Sequence, residues 1–230
     1  MNTNTELKLQ LTRDGSYTLK HPGNPEPYHS MFGAVTEAKS VFLENSEVQQ
    51  RLQKHLPTTV LEIGFGSGLN FLLSAACARD NQCKLTYSAF EFLLPPTELS
   101  CELLTRNTTG CVKEIARLKE TLDSGQTVNT SINAYSDLTI IRSDATKSQL
   151  PVDTFHAVYL DAFSISQNPL LWQTSFLQSL NRALKADGKL ATYSVNRKFK
   201  DALTDAGFTW KKLPGPGGKR EVIVATATDR

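Results

Sequence analysis

The stretch Thr58 to Phe71, TTVLEIGFGSGLNF, constrains this chain more than any other. Val60, Leu61 and Ile63 read as a short buried strand. Gly64, Gly66 and Gly68 open a turn, and Leu69 to Ala76 continue as a helix. A strand that passes through a glycine turn into a helix is the ligand-binding corner of a doubly wound sheet. Glycine is needed there because the backbone takes positive φ and a ligand comes close.

The spacing is E-x-G-x-G-x-G, with Glu62 two residues before the first glycine; a dinucleotide fold shows G-x-G-x-x-G. This variant resembles the first motif of class I S-adenosylmethionine (SAM) methyltransferases. The resemblance implies SAM as cofactor, with Glu62 placing its methionine end and the loop of Gly64, Gly66 and Gly68 under its ribose. Asn70, at the start of the helix, joins the expected cofactor-binding residues.

At 230 residues the chain fits one large domain, or one domain with a small attachment. No apolar run approaches the ~20 residues of a membrane span. The opening MNTNTELKLQ is polar and has no apolar signal core, so a cytoplasmic protein is expected. Cys77, Cys83, Cys101 and Cys111 form no CxxC pair, which reads as reduced thiols and no metal site. A net charge of +2 neither requires nor excludes a nucleic-acid partner.

Leu7, Leu9 and Leu11 alternate with polar residues, Asp14-Gly15 signals a tight turn, and Tyr17 and Leu19 alternate on the return. Residues 7–20 therefore read as a β-hairpin. The Pro/Gly stretch HPGNPEPYHSMFGA follows, then a helix over Thr36 to Leu56 with Val41, Phe42, Val48, Leu52 and Leu56 on its buried face. Residues 1–57 read as a hairpin-and-helix lid, and 58–230 as a Rossmann-like domain. Leu85 to Phe90 is a second strand, and Glu91 at its end is placed to accept both ribose hydroxyls of a nucleoside. Two helices and a polar loop, DSGQTVNTSINAYS, lead to a third strand, Leu138 to Ile141. Asp144 after it holds an adenine amino group or caps a helix. His156 to Leu160 is a fourth strand, ending at Asp161. Asn168-Pro169 opens the next helix. A strand over Lys189 to Ser194, a short helix, and a hairpin of Phe208 to Leu213 with Glu221 to Thr226 complete the chain. The fold expected is α/β: a seven-stranded, mostly parallel sheet with a closing β-hairpin.

Asp161 lies at the mouth of the crevice where the cofactor's methyl is expected. Methyl transfer to nitrogen needs a free lone pair in line with the sulfonium carbon. A carboxylate there orients an amine and stabilises the ammonium that forms. The chain also resembles the methyltransferase domain of the MnmC family, the bacterial tRNA wobble-uridine modification enzymes, and especially their stand-alone MnmD form. The matching residues are DGSYTL, EPYHS, Gly33-Ala34, Thr36-Glu37-Ala38, LEIGFGSGLNF, Phe90-Glu91, LDAF, Gln167-Asn168-Pro169 with Trp172, Gly188 to Tyr193, Ala206-Gly207-Phe208 and LPGPGGKRE. The resemblance implies methylation of the 5-aminomethyl group of a wobble uridine, often 2-thiolated, with the amine supplied by a separate enzyme. It puts the catalytic aspartate at Asp161 and the ribose acid at Glu91, and brings Tyr28 and Glu37 to the cofactor. Two positions depart from the family: Phe92 replaces a lysine, and Ser164-Ile165-Ser166 replaces a run with an early proline.

For a tRNA partner, Phe163 is a candidate for stacking on a base, and Arg197, Lys198, Lys219 and Arg220 for phosphate contacts. A monomer is expected. Two other readings fit the same residues: a methyl- or aminopropyl-transferase for a small amine, and a non-catalytic SAM-binding RNA partner.

Overall fold

The central strands, β3 (Thr58–Ile63) and β7 (Phe155–Leu160), are buried along nearly their whole length. Strands buried on both faces belong to a parallel sheet covered by helices. The computed structural model, which describes residues 7–24, 26–123, 128–216 and 221–228, has that sheet. β4 (Leu85–Phe90), β6 (Ser136–Ile141) and β8 (Leu184–Thr192) run parallel with β3 and β7. β9 (Phe208–Pro214) and β10 (Glu221–Ala227) form the closing hairpin, with β10 antiparallel to β8. The strand order is β5-β6-β4-β3-β7-β8-β10-β9.

All seven expected strands are present, and an eighth extends one edge. β5 (Val128–Asn133) pairs antiparallel with β6 inside the run read as a polar loop. Its composition misleads because an edge strand needs few apolar residues; Ile132 packs into the core there.

Side chains alternate across β3 and so divide the core. Val60 packs with α3 (Leu69–Asp80), α4 (Thr97–Asn107) and α5 (Val112–Asp123). Leu61 and Ile63 pack with α6 (Thr174–Ala183) and α7 (Arg197–Asp205) on the other face. Glu62 falls on the α3 face with Val60, which decides its role below.

The N-terminal hairpin, β1 (Lys8–Leu11) and β2 (Tyr17–Lys20), forms with Gly15 at φ +82°. The helix expected over Thr36 to Leu56 is broken. It consists of α1 (Ala34–Glu37), a π-helical stretch over Ala38–Glu44, and α2 (Val48–Gln53), with Glu47 at φ 65° between them. Val41, Phe42, Val48 and Leu52 are buried as expected, and Leu56 is exposed. A periodicity argument finds the buried face but does not resolve one extra residue per turn. These elements pack into the same core as α3 and β4. Among the described residues no helix is long and apolar enough to cross a membrane.

Asp14 joins the hairpin to α1. Its carboxylate accepts from the Ser16 amide at 3.0 Å, the Thr12 hydroxyl at 2.8 Å, and the Thr36 hydroxyl and amide at 2.7 and 3.1 Å. Burial alone would push its carboxyl up, but these hydrogen bonds together hold it well below the usual carboxylate range. The folded state therefore favours the ionised form, so this stability is present at neutral pH and lost as pH falls below about 4. Asp14→Ala is expected to cost about 1 kcal/mol in urea unfolding at pH 7 and only somewhat less at pH 3, because the folded-state carboxyl is still ionised there.

Candidate active site

The register of the sheet sets four chain segments at one level. Ile63 pairs with Phe90 and with Leu160, and Phe90 pairs with Ile141. The residues that follow, Gly64, Glu91, Asp161 and Arg142, emerge together at the carboxyl edge. The chain leaves β3 for β4 on one side, while β7 lies on the other, so the crevice opens where the strand order reverses. A cavity of about 570 Å³ lies there, within the range of small-molecule sites.

The glycine turn makes the floor. Gly64 has φ +93°, and a Cβ on it would lie 2.7 Å from the Asp161 carbonyl oxygen. Gly66 has φ +53°, and a Cβ there would meet the Tyr28 ring at 3.2 Å. Gly68 precedes α3. Glu91 accepts the Gly66 amide at 2.9 Å and the Leu93 amide at 3.1 Å. Burial pushes its carboxyl up, against these hydrogen bonds. Asp144 also lines the cavity, and it caps a 3-10 turn: Oδ1 accepts the Thr146 amide at 3.0 Å, while Oδ2 is 3.4 Å from the Lys147 ammonium.

Residues 26–30 close the crevice from above. The Tyr28 and Phe163 rings meet edge to face at 5.2 Å. Glu26 accepts both the amide of Ser164, at 3.0 Å, and its hydroxyl. Burial, then the nearby Glu91, pushes the Tyr28 hydroxyl up to about 12. Glu37 lines the same wall and accepts the Ser30 amide at 2.9 Å. The wall over the cavity is thus mainly the Pro/Gly stretch, with Glu37 of α1 beside it.

Asp161 is half-buried at the cavity wall, and its Oδ2 accepts an N–H of Asn70 at 2.7 Å. The second N–H of the Asn70 amide goes to Glu62 Oε1 at 2.8 Å, and Tyr87 donates to Glu62 Oε2 at 2.9 Å. Glu62 is 0 % exposed and lies under α3, outside the cavity lining. Burial pushes its carboxyl up to about 8.

The sequence candidates Tyr28, Glu37, Gly64, Gly66, Glu91, Asp144, Asp161 and Phe163 all line the cavity. Glu62 and Asn70 lie beneath it. Arg197 and Lys198 are exposed on the first turn of α7, beyond the cavity lining but on the same sheet edge. Lys219 and Arg220 lie outside the described residues. Glu26 and Tyr193 are among the further cavity residues that were missed. Glu26 sits in an aperiodic proline-rich run, where the family match EPYHS marks the segment but gives it no role. Tyr193, whose hydroxyl donates to the Ala162 carbonyl at 2.8 Å, reads as an ordinary strand-end aromatic.

Five carboxyl side chains line the cavity, from Glu26, Glu37, Glu91, Asp144 and Asp161, and among the described residues no Lys or Arg does. This set of acceptors suits a ligand with positive charge and free hydroxyls. SAM carries a sulfonium, an ammonium and a ribose diol, so the residues fit it.

Comparison with known proteins agrees with the geometry. The family described as S-adenosyl-L-methionine-dependent methyltransferase matches residues 112–228. Similar proteins include the tRNA 5-methylaminomethyl-2-thiouridine biosynthesis bifunctional protein MnmC of Burkholderia multivorans, 29 % identical over 96 % of this chain and 35 % of that protein. The protein of the same name from Paraburkholderia phymatum is 31 % identical over 88 % of this chain and 32 % of its own length. The chain thus spans about a third of the length of these relatives. The crystal structure of MNMC2 from Aquifex aeolicus superposes with a TM-score of 0.78 at 24 % identity, covering 97 % of this chain and 71 % of that one. Spermidine synthase from Thermotoga maritima shares the fold more distantly, with a TM-score of 0.54 at 13 % identity over 96 % of this chain and 68 % of that one.

Proposed function

Because the chain belongs to the S-adenosyl-L-methionine-dependent methyltransferase family, we propose that its crevice methylates the 5-aminomethyl group of a uridine at the tRNA wobble position. The observation that carries the reading is Asp161, a carboxylate fixed at the wall of the cofactor cavity, next to the Gly64 turn. The names of the similar proteins supply the substrate class.

SAM, when bound, supplies a methyl group on a sulfonium. Glu91 would hold its ribose hydroxyls, the glycine turn its sugar, and Asp144 its adenine amino group through Oδ2. Tyr28 and Glu37 would close the cofactor side as part of a lid. The remaining work falls to the chain's own residues at the amine. An alkyl amine with a pKa like that of lysine lies ~3.4 units above pH 7, so freeing its lone pair costs about 4.6 kcal/mol. Asp161 accepts a hydrogen bond from the amine, which aims the lone pair across the cavity, and then stabilises the ammonium product. Phe163 and Tyr28 offer ring surfaces for the uracil. Arg197, Lys198, Lys219 and Arg220 contact phosphates. In this reading the protein works in the cytoplasm as a monomer.

The carboxylate-rich lining favours one other reading, a small polyamine as acceptor. Against it, Glu26 is engaged by Ser164 and Glu37 by the Ser30 amide, so neither stands ready for a second ammonium. An acceptor assay separates the two. With labelled SAM, transfer to tRNA bearing aminomethyluridine is expected, and none to a linear diamine. Transfer to the diamine alone would replace the tRNA reading.

A further inference from the structure

A carboxyl group buried under a helix is costly unless its oxygens are paired. Glu62 is fully buried, and both of its oxygens are paired, by Asn70 and by Tyr87. Tyr87 is itself 0 % exposed and Asn70 is 4 % exposed. The Asn70 amide has two N–H donors, and both are taken by carboxyl groups: one buried and inert, the other at the reacting end of the crevice. Two acceptors on one side fix which end of the amide faces them. The chain Tyr87, Glu62, Asn70, Asp161 therefore runs from the core to the cavity wall through three hydrogen bonds of 2.9, 2.8 and 2.7 Å. Tyr87, Glu62 and Asn70 are set on β4, β3 and the first turn of α3, and Asp161 directly follows β7.

We propose that Asn70 and Glu62 are positioning residues for Asp161. The Glu62 carboxyl orients the Asn70 amide, and the amide's second N–H holds the Asp161 carboxylate in line with the substrate amine. The acid of the glycine motif then serves the catalytic aspartate, not the methionine end of the cofactor. This rests on the reading that Asp161 meets the amine. Burial raises the Glu62 carboxyl, and the hydrogen bonds from Asn70 and Tyr87 act against that rise.

The test is steady-state kinetics on tRNA, with SAM affinity and melting temperature measured on each variant. Asn70→Ala is expected to lower kcat by about 10- to 100-fold, the scale of a misplacement near 1 Å. KM for tRNA and Kd for SAM should move less than about threefold, because Asn70 lies outside the cavity lining. If that variant melts early, Asn70→Ser makes the same test, since a serine hydroxyl is too short to span both carboxyl groups. Glu62→Gln should retain kcat within about threefold, because its amide oxygen still accepts from Asn70. A folded Asn70 variant with wild-type kcat would overturn the proposal. So would a loss of SAM affinity that matches the loss of kcat, or a Glu62→Gln variant as slow as Asn70→Ala. If the wild-type protein binds SAM but transfers nothing to tRNA, the functional reading fails instead, and the two failures stay distinct.

Discussion

Replacing Asp161 by alanine is expected to leave SAM affinity within a few-fold and to lower kcat by about 100-fold or more, the loss typical of removing one group aimed at developing charge. The side chain accepts from Asn70 beneath it and faces the cavity above, while Glu91 and the glycine turn hold their own contacts without it. Asp161→Asn is the sharper variant. An amide has one acceptor oxygen. If that oxygen keeps the Asn70 hydrogen bond, the NH₂ group turns toward the substrate amine and opposes the forming ammonium. Its kcat should fall nearly as far as that of the alanine variant. Wild-type turnover in either would remove Asp161 from the chemistry.

Gly64→Ala carries the second large effect, and for a different reason. At φ +93° an L-residue is strained, and the new methyl carbon would lie 2.7 Å from the Asp161 carbonyl oxygen and 3.1 Å from the Ala162 Cα. Neither backbone atom moves freely, because the Asp161 amide donates to the Ile63 carbonyl at 3.0 Å and Gly64 donates to Phe90 at 3.0 Å. The strain, about 1–3 kcal/mol, is shared by the free and SAM-bound protein and lowers stability; the crowding displaces the backbone at the crevice floor, so SAM affinity should fall by roughly 10- to 100-fold, and kcat should fall with it as Asp161 shifts. Gly110→Ala is the control. Its φ is +73°, yet nothing lies within 4 Å of the added carbon. It should cost some stability and no affinity. Equal effects of the two substitutions would mean that backbone strain, rather than crowding at the crevice, explains Gly64.

Much of this site was legible in the sequence because parallel strands bring their ends to one edge. Glu91 and Asp161 each follow an apolar run, and pairing of Phe90 and Leu160 with Ile63 puts them beside the glycine turn. Glu62 lies outside the cavity lining for a reason that is also local. Its spacing from the glycines points to the cofactor, but alternation along β3 turns it to the α3 face, with Val60, under Asn70. Glu26 shows no periodicity, only the EPYHS match: it lies between prolines, and its partner Ser164 is 138 residues away. β5 was hidden because a strand at the sheet edge is free to be polar, and the π-helical stretch because it keeps the same buried side chains as a regular helix.

The most direct measurement is the mass of the nucleosides in tRNA before and after reaction. Total tRNA from a strain lacking this enzyme is incubated with the protein and labelled SAM, digested, and separated. The account predicts that 5-aminomethyl-uridine nucleosides gain one labelled methyl group and that other nucleosides do not. Label on a different nucleoside, or none on tRNA despite measurable SAM binding, would contradict it.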